Sequence, residues 1–268
     1  MRAEAGYLDF SLKIYSALGK TIQECRDITD AVDFSNGLAF YNQGMVQMLQ
    51  DNFGRGVALI QLAWEEDKEL VHHGEAEKRL EEWSSEFCSL ILDLFRDDQH
   101  FNKMEPTNIL SRLGNEKYRL MAIVIDHNTR LKDWRSLAIK DAAETNILRI
   151  CKLTEYYLKT KLPRSDELPA MIEFAFSKNK KLFSWFKKWA KWKGAKGATS
   201  YRYPTDDSKI IDILDSPDDS VLKSFKLICL LRNFTAHIYN ERSILFRRYE
   251  DCFKTCLKAL MYTINYVS

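Results

Sequence analysis

Apolar residues recur every three or four positions along most of this chain, which is the pattern of amphipathic helices. The predicted helices lie within residues 7–24, 37–69, 75–97, 118–125, 131–158, from 167 into the 180s, 220–229 and 246–264. Pro163 ends the fifth of these stretches, because proline cannot continue a helix. The last stretch has the longest apolar stripe and is predicted to be a core helix. The pattern therefore predicts an all-α fold.

Residues 37–69 hold two apolar stripes separated by a turn at Asn52-Phe53-Gly54. Two helices joined by a short turn form a helical hairpin. Small residues stand where the two helices are expected to approach closely, and in this respect the pair is similar to a single tetratricopeptide unit. The sequence contains no second copy at a fixed period, so an extended solenoid is not predicted.

Composition agrees with a helical protein that has an ordinary core. Ten glycines and five prolines in 268 residues are too few for the many turns of an all-β fold. The six cysteines are scattered, most of them among apolar neighbours, which favours buried, reduced thiols in the cytosol. The charged start at Arg2 and Glu4 does not fit a secretory signal, and no apolar run is long enough for a membrane span. We expect a cytoplasmic protein without a membrane partner.

No metal or cofactor is predicted. Cys252 and Cys256 lie one helical turn apart, but no matching histidine pair or second cysteine pair accompanies them. Glycine-rich phosphate loops and Ser/His/Asp sets are also missing from the sequence.

Residues 98–115 form a polar stretch between predicted helices and contain Pro106 and Gly114. Such a stretch is typical of a domain boundary. We therefore predict an N-terminal helical domain over residues 1–115, with a regulatory or interaction role, and a second domain over residues 116–268.

A basic segment interrupts the second domain. Residues 178–203 hold eight lysines and one arginine with no acidic residue, although the whole chain has a net charge of only +2. Lysines beside aromatic rings suit single-stranded RNA, which offers phosphates and unstacked bases. The predicted RNA contacts are Lys187, Lys188, Lys191, Lys193 and Trp189, with Trp185 and Trp192 at the same helical spacing. Two alternatives remain: solvated lysines over a buried tryptophan stripe, and a helix that lies on a membrane surface.

Residues 230–239, Leu-Leu-Arg-Asn-Phe-Thr-Ala-His-Ile-Tyr, carry the candidate chemistry. Arg232 offers a planar, permanently charged fork that matches phosphate oxygens. His237 can accept or donate a proton near neutral pH. Together they suit metal-free cleavage of an RNA phosphodiester. A structural role is the alternative, in which both side chains stabilise the end of a helix.

This stretch resembles the HEPN superfamily, whose ribonuclease members carry an arginine followed by four to six residues and a histidine, often with asparagine after the arginine. The matching residues are Arg232, Asn233 and His237, and Tyr239 extends the match to the form seen in HEPN toxins. The resemblance covers roughly the last 140 residues. It implies a helical bundle that works as a homodimer, in antiviral defence or toxin–antitoxin control. It also implies regulation by a partner protein or a nucleotide activator.

The resemblance implies a reaction in which the ribose 2′-OH attacks the adjacent phosphorus and leaves a 2′,3′-cyclic phosphate and a 5′-OH. Arg232 would neutralise the phosphate, His237 would transfer a proton, and Asn233 would orient the histidine or the phosphate. In HEPN toxins the tyrosine of this motif is silenced by nucleotide transfer, which makes Tyr239 a candidate regulatory position. An aromatic residue beside a helix break is more often a packing residue.

Helix geometry sets a condition on this site. Positions five apart on an uninterrupted helix point about 140° away from each other, at roughly 100° per residue. Arg232 and His237 therefore meet only if the helix breaks between them, for instance at Asn233–Thr235, or if two chains contribute one pair each. A different class of function, a non-catalytic helical adaptor that binds a protein partner, also fits the sequence.

Overall fold

In a computed structural model the chain is helical over most of the residues that the structure describes. These are residues 2–29, 36–68, 74–98, 105–132, 138–162, 168–175, 184, 191–193, 199–201, 208–236 and 247–267. The helices are α1 (Arg2–Thr29), α2 (Gly37–Leu49), α3 (Phe53–Asp67), α4 (Glu75–Leu94), α5 (Pro106–Leu113), α6 (Glu116–Lys132), α7 (Ala138–Lys161), α8 (Leu168–Ala175), α9 (Ser208–Leu214), α10 (Ser220–Ala236) and α11 (Tyr249–Tyr266). The all-α prediction is confirmed.

The chain divides into two compact units, and the first consists of Met1–Leu90 together with Asn115–Thr129. Its helices α2 and α3 form the predicted hairpin, and α1 packs along α2. The Gln43 side-chain amide donates to the backbone carbonyl of Tyr15 at 3.2 Å, which ties α2 to α1. The core of this unit contains Phe53, Val57, Ile60, Ala63, Ala76, Leu80, Trp83, Ala122 and Ile125.

Small residues allow the close approach of α2 and α3, as the sequence predicts. A Cβ atom built on Gly44 would lie 2.7 Å from Cγ1 of Ile60 and 2.9 Å from the carbonyl oxygen of Gly56. A Cβ atom on Gly56 would lie 2.6 Å from Sδ of Met48. All three distances are far below van der Waals contact, so the hairpin has no room for a side chain at either position.

The second unit consists of Ile91–Gly114 together with Arg130–Ser268, and α7, α10 and α11 pack against one another within it. The Cys151 thiol on α7 donates to the carbonyl oxygen of Ile228 on α10 at 3.8 Å. The Asn146 amide donates to the Tyr249 hydroxyl on α11 at 3.5 Å. Most side chains of α11 are buried, as its long apolar stripe predicts.

The polar stretch at residues 98–115 contains a helix that the sequence pattern did not predict. Pro106 occupies the first turn of α5, and Gly114 follows its end with φ of +56°. Proline at the start and glycine after the end are typical of a helix. Ile109, Leu110 and Leu113 are buried, so this short helix belongs to the core of the second unit.

The two units do not follow the predicted boundary between residues 115 and 116. Residues 91–114 group with the second unit, and residues 115–129 group with the first. The physical reason lies in α6, whose Ala122 and Ile125 pack into the core around Phe53 and Trp83. The predicted division treated α6 as the start of the second domain.

Part of the basic segment is extended rather than helical. Lys191–Lys193 form strand β1, which pairs antiparallel with β2 (Thr199–Tyr201), and Trp192 lies opposite Ser200. The helical conformation that the tryptophan spacing indicates is therefore wrong at Trp192. Tryptophan, threonine and tyrosine favour strands, and Gly194 and Gly197 stand between the two strands in the sequence.

Candidate active site

Arg232 lies on α10, the helix that the sequence predicts before the motif. The helix begins where the Asp219 carboxylate accepts a hydrogen bond from the backbone N–H of Val221 at 3.0 Å, which is a typical N-terminal cap. Along α10 the buried residues Ile228 and Leu231 hold one face in the core of the second unit. Arg232 follows directly and is half-exposed, with 38% of its side chain accessible. The helix thus delivers a guanidinium to the surface from a rigid support.

The Arg232 guanidinium forms an ion pair with Glu155 of α7. Its Nε–H donates to Oε1 of Glu155 at 3.0 Å. Only 13% of the Glu155 side chain is exposed, so the carboxylate is held firmly by its surroundings. A well-packed carboxylate fixes the orientation of the planar guanidinium, because the Nε–H direction determines the plane of the fork.

The ion pair leaves most of the arginine's donors available. A guanidinium has five N–H groups, and Glu155 takes the one on Nε. Among the described residues, no acceptor lies within hydrogen-bond distance of the two Nη nitrogens. These four N–H groups match the geometry of two phosphate oxygens. The arrangement is able to hold a phosphate, although the neighbouring carboxylate offsets part of the positive charge.

The helix does not break where a break was expected. Asn233 and Thr235 lie within α10, which continues to Ala236. A helix break at Asn233–Thr235, one of the two ways in which Arg232 and His237 could meet, is therefore not observed. The modest helix propensity of asparagine and threonine is overcome by the buried face of α10 earlier in the helix. Asn233 is placed by its backbone in the turn that contains Arg232.

Several predicted site residues lie outside the described residues. These are His237, Tyr239, Lys187, Lys188 and Trp189. Lys191 and Lys193 are placed by their backbones in β1. Among the predicted site residues, Arg232 is therefore the one for which the structure describes side-chain contacts.

A cluster of thiols lies beside the ion pair. Cys229 is one turn before Arg232 on α10 and is fully buried. Burial raises the pKa of the Cys229 thiol well above its ordinary value, and Cys151 and Glu155 act in the same direction. The thiol therefore stays neutral at physiological pH and is not a nucleophile there. Its contribution to the site is packing.

The described ranges hold neither a metal-binding group nor a membrane span. No three histidine, cysteine, aspartate or glutamate side chains in these ranges are grouped in a way that fits a metal ion. Every helix in the same ranges is too short or too polar to cross a lipid bilayer.

Glu155 is the site residue that the sequence did not reveal. It precedes Arg232 by 77 positions and lies in the middle of a helix where a glutamate is an ordinary surface residue. Only the packing of α7 on α10 brings the two side chains together. No local signal in the sequence could have indicated the pair.

Comparison with known proteins does not assign the chain to a family: no family model matches it, and neither do the curated proteins or the solved structures.

Proposed function

We propose that this chain is a metal-independent endoribonuclease that cleaves single-stranded RNA. The observation that carries the proposal is the Arg232 guanidinium, which is oriented by Glu155 and stands five positions before His237. A phosphate bound to the Nη donors would gain charge stabilisation as the pentavalent transition state forms. Removing one such donor group commonly costs about 10²–10³ in rate.

The proposed reaction uses only groups of the chain and the RNA. The ribose 2′-oxygen bonds to the adjacent phosphorus and gives up its proton, while the bond from phosphorus to the 5′-oxygen breaks. One imidazole takes the first proton and another gives a proton to the leaving 5′-oxygen. Two His237 side chains, one from each chain of a homodimer, would fill both roles. The resemblance to HEPN ribonucleases supports this composite site and a role in antiviral defence or toxin–antitoxin control within the cytoplasm.

A homodimer requires an interface between two chains, and we propose a pairing surface on α1. Tyr7, Phe10, Ile14 and Leu18 recur at helical spacing and are 75%, 63%, 48% and 37% exposed. A continuous apolar stripe of this kind marks an interaction site.

The same stripe favours the second candidate function, a non-catalytic helical adaptor. In that case the chain would associate through α1 without cleaving RNA. Phe10→Glu together with Ile14→Glu should convert a dimer to a monomer in analytical ultracentrifugation, and Leu62→Glu on α3, an exposed leucine of similar accessibility, should not. Self-association without any RNA cleavage would favour the adaptor. A wild-type chain that is monomeric at all concentrations would contradict the proposed pairing surface.

The test of the ribonuclease function is the dependence of cleavage on the 2′-hydroxyl. Labelled single-stranded RNA and DNA of one sequence are incubated with the protein in EDTA, and the product ends are identified by mass spectrometry. We expect RNA fragments that end in a 2′,3′-cyclic phosphate and a 5′-OH, and intact DNA. Cleavage of the DNA, or RNA products that end in a 5′-phosphate, would contradict the proposed chemistry.

A further inference from the structure

Two clefts of about 390 and 210 Å³ meet in the second unit, at the N-terminal end of α10. Ser220 and Lys258 line both of them. Together the clefts fall within the usual size of small-molecule sites. The smaller cleft is basic and is lined by Lys223, Lys254 and Lys258 together with Ser224 and Thr255. The larger cleft is mostly acidic.

Two of the three lysines in the smaller cleft have no hydrogen bond to a carboxylate among the described residues. Lys223 donates to the carbonyl oxygen of Leu214, a neutral group, at 3.0 Å. The Lys258 Nζ lies 3.9 Å from the Asp98 carboxylate, which is longer than a hydrogen bond. Lys254, by contrast, pairs with Glu250 at 2.5 Å. Lys223 and Lys258 therefore bring two positive charges into one cleft, and the Asp98 carboxylate offsets part of the charge of Lys258.

The acidic residue in the smaller cleft forms its ion pair with a lysine that does not line the cleft. Asp218 pairs with Lys226 at 2.7 Å, and Lys226 is not part of the cleft lining. Burial, above all, lowers the pKa of Lys258, and the nearby Lys223 ammonium lowers it further against the opposing effect of Asp98. A partly buried ammonium beside a second ammonium is a place where an anion is favourable.

Hydrogen-bonding groups extend from this cleft into the larger one. The Tyr262 hydroxyl donates to Asp98, so the Ser220 hydroxyl, 2.8 Å away, donates to Tyr262 and keeps its lone pairs for a ligand. The Thr255 hydroxyl has no partner among the described residues and can donate to an anion. Acceptors therefore face one side of the joined clefts, and cationic donors face the other.

We propose that the joined clefts bind a phosphate monoester with a hydroxyl-rich body, such as a sugar phosphate. Lys223, Lys258 and Thr255 would hold the phosphate. The hydroxyl groups of the body would donate to Ser220 Oγ and to the carboxylates of the larger cleft. This site is separate in its residues from Arg232 and His237, and the inference does not rest on the ribonuclease function.

The test is isothermal titration calorimetry of the full chain with ribose 5-phosphate, inorganic phosphate and ribose. We expect ribose 5-phosphate to bind more tightly than inorganic phosphate, and ribose alone to give no signal. Absence of heat with ribose 5-phosphate at millimolar concentration would overturn the proposal. Equal affinity for ribose 5-phosphate and inorganic phosphate would overturn the part that concerns the hydroxyl-rich body.

Substitutions in the clefts test which residues bind the sugar phosphate. Lys258→Met and Lys223→Met keep the apolar stems and should each lower the affinity about tenfold or more, since each removes a charged hydrogen bond. Thr255→Val is nearly isosteric and provides a measurement if a lysine variant fails to fold. The control is Lys209→Met on α9, an exposed lysine paired with Asp212 outside both clefts. Unchanged affinity in folded Lys223, Lys258 and Thr255 variants would place the ligand elsewhere and overturn the assignment.

Discussion

At the scale of single residues, the candidate site contains one arginine whose orientation is restrained by one carboxylate. The Arg232 ion pair is half-exposed, so its net contribution to the free energy of unfolding is at most about 1 kcal/mol. The contribution to function that we propose for the pair is orientation, because the Nε–H bond to Glu155 restrains the guanidinium. We regard Glu155 as a positioning residue.

Substitution of Glu155 separates orientation from charge. Glu155→Gln keeps an oxygen that can accept the Nε–H bond, whereas Glu155→Ala removes it. We expect the Gln variant to cleave RNA within a few-fold of the wild type and the Ala variant to lose about tenfold, in single-turnover rates with both variants folded. Equal rates for the Ala variant and the wild type would show that the pair does not position Arg232.

The buried thiols of α10 and α11 predict how stability responds to alkaline pH. Burial raises the pKa of Cys252 from about 9 to about 12, and burial also raises the pKa of Cys229 and Cys256. A raised pKa in the folded state gives stability that is complete below about pH 9 and is lost as the pH rises toward the folded pKa. The loss is about 1.4 kcal/mol per pH unit for each such group.

Urea unfolding between pH 8 and pH 11 measures this slope. Cys252→Ala should make the slope smaller by about 1.4 kcal/mol per pH unit above pH 9. Leu257→Ala, which also creates a cavity in α11 but removes no titrating group, should lower stability at every pH and leave the slope unchanged. An unchanged slope in the Cys252 variant would contradict the burial effect.

At the scale of elements, the periodic pattern predicted the features that depend on residues close together in the sequence. The stripe of α11 and the α2–α3 hairpin are both confirmed. Each of these features is set by residues a few positions apart. The pattern missed α5, because its eight residues hold only two turns and lie in a polar stretch.

Features that depend on distant residues were not predictable from the sequence. Glu155 meets Arg232 across 77 positions, and Asp98 meets Tyr262 across 164. The placement of α6 with the first unit depends likewise on Ala122 and Ile125 contacting α3 and α4. Periodicity reports which face of a helix is buried, but it does not report the partner of that face.

The glycines of the α2–α3 hairpin allow a direct test at this scale. Gly44→Ala places a methyl group against Ile60 and the Gly56 carbonyl, so we expect a loss of about 1–3 kcal/mol in the free energy of unfolding. Gly54→Ala on α3 meets no atom within 4 Å and should be neutral or stabilising by up to about 1 kcal/mol. Denaturant titration compares the two variants. Equal stabilities would show that α2 and α3 are not in close contact.

At the scale of the whole molecule, we propose that Arg232 and His237 act on one phosphodiester. Because α10 continues to Ala236, a break at Asn233–Thr235 does not bring them together, and a composite site made by two chains remains the arrangement we propose. In such a site, each chain supplies one arginine and one histidine. A dimer that retains one of each residue should keep part of the activity.

The measurement that tests this claim most directly is RNA cleavage in EDTA by Arg232→Ala, by His237→Ala and by an equal mixture of both. We predict a loss of about 10²-fold or more for each variant alone. We also predict partial recovery in the mixture, and near wild-type cleavage by Arg248→Ala, an ion-paired arginine of similar exposure. Wild-type rates in the folded Arg232 and His237 variants, or no cleavage by the wild-type protein, would contradict the account.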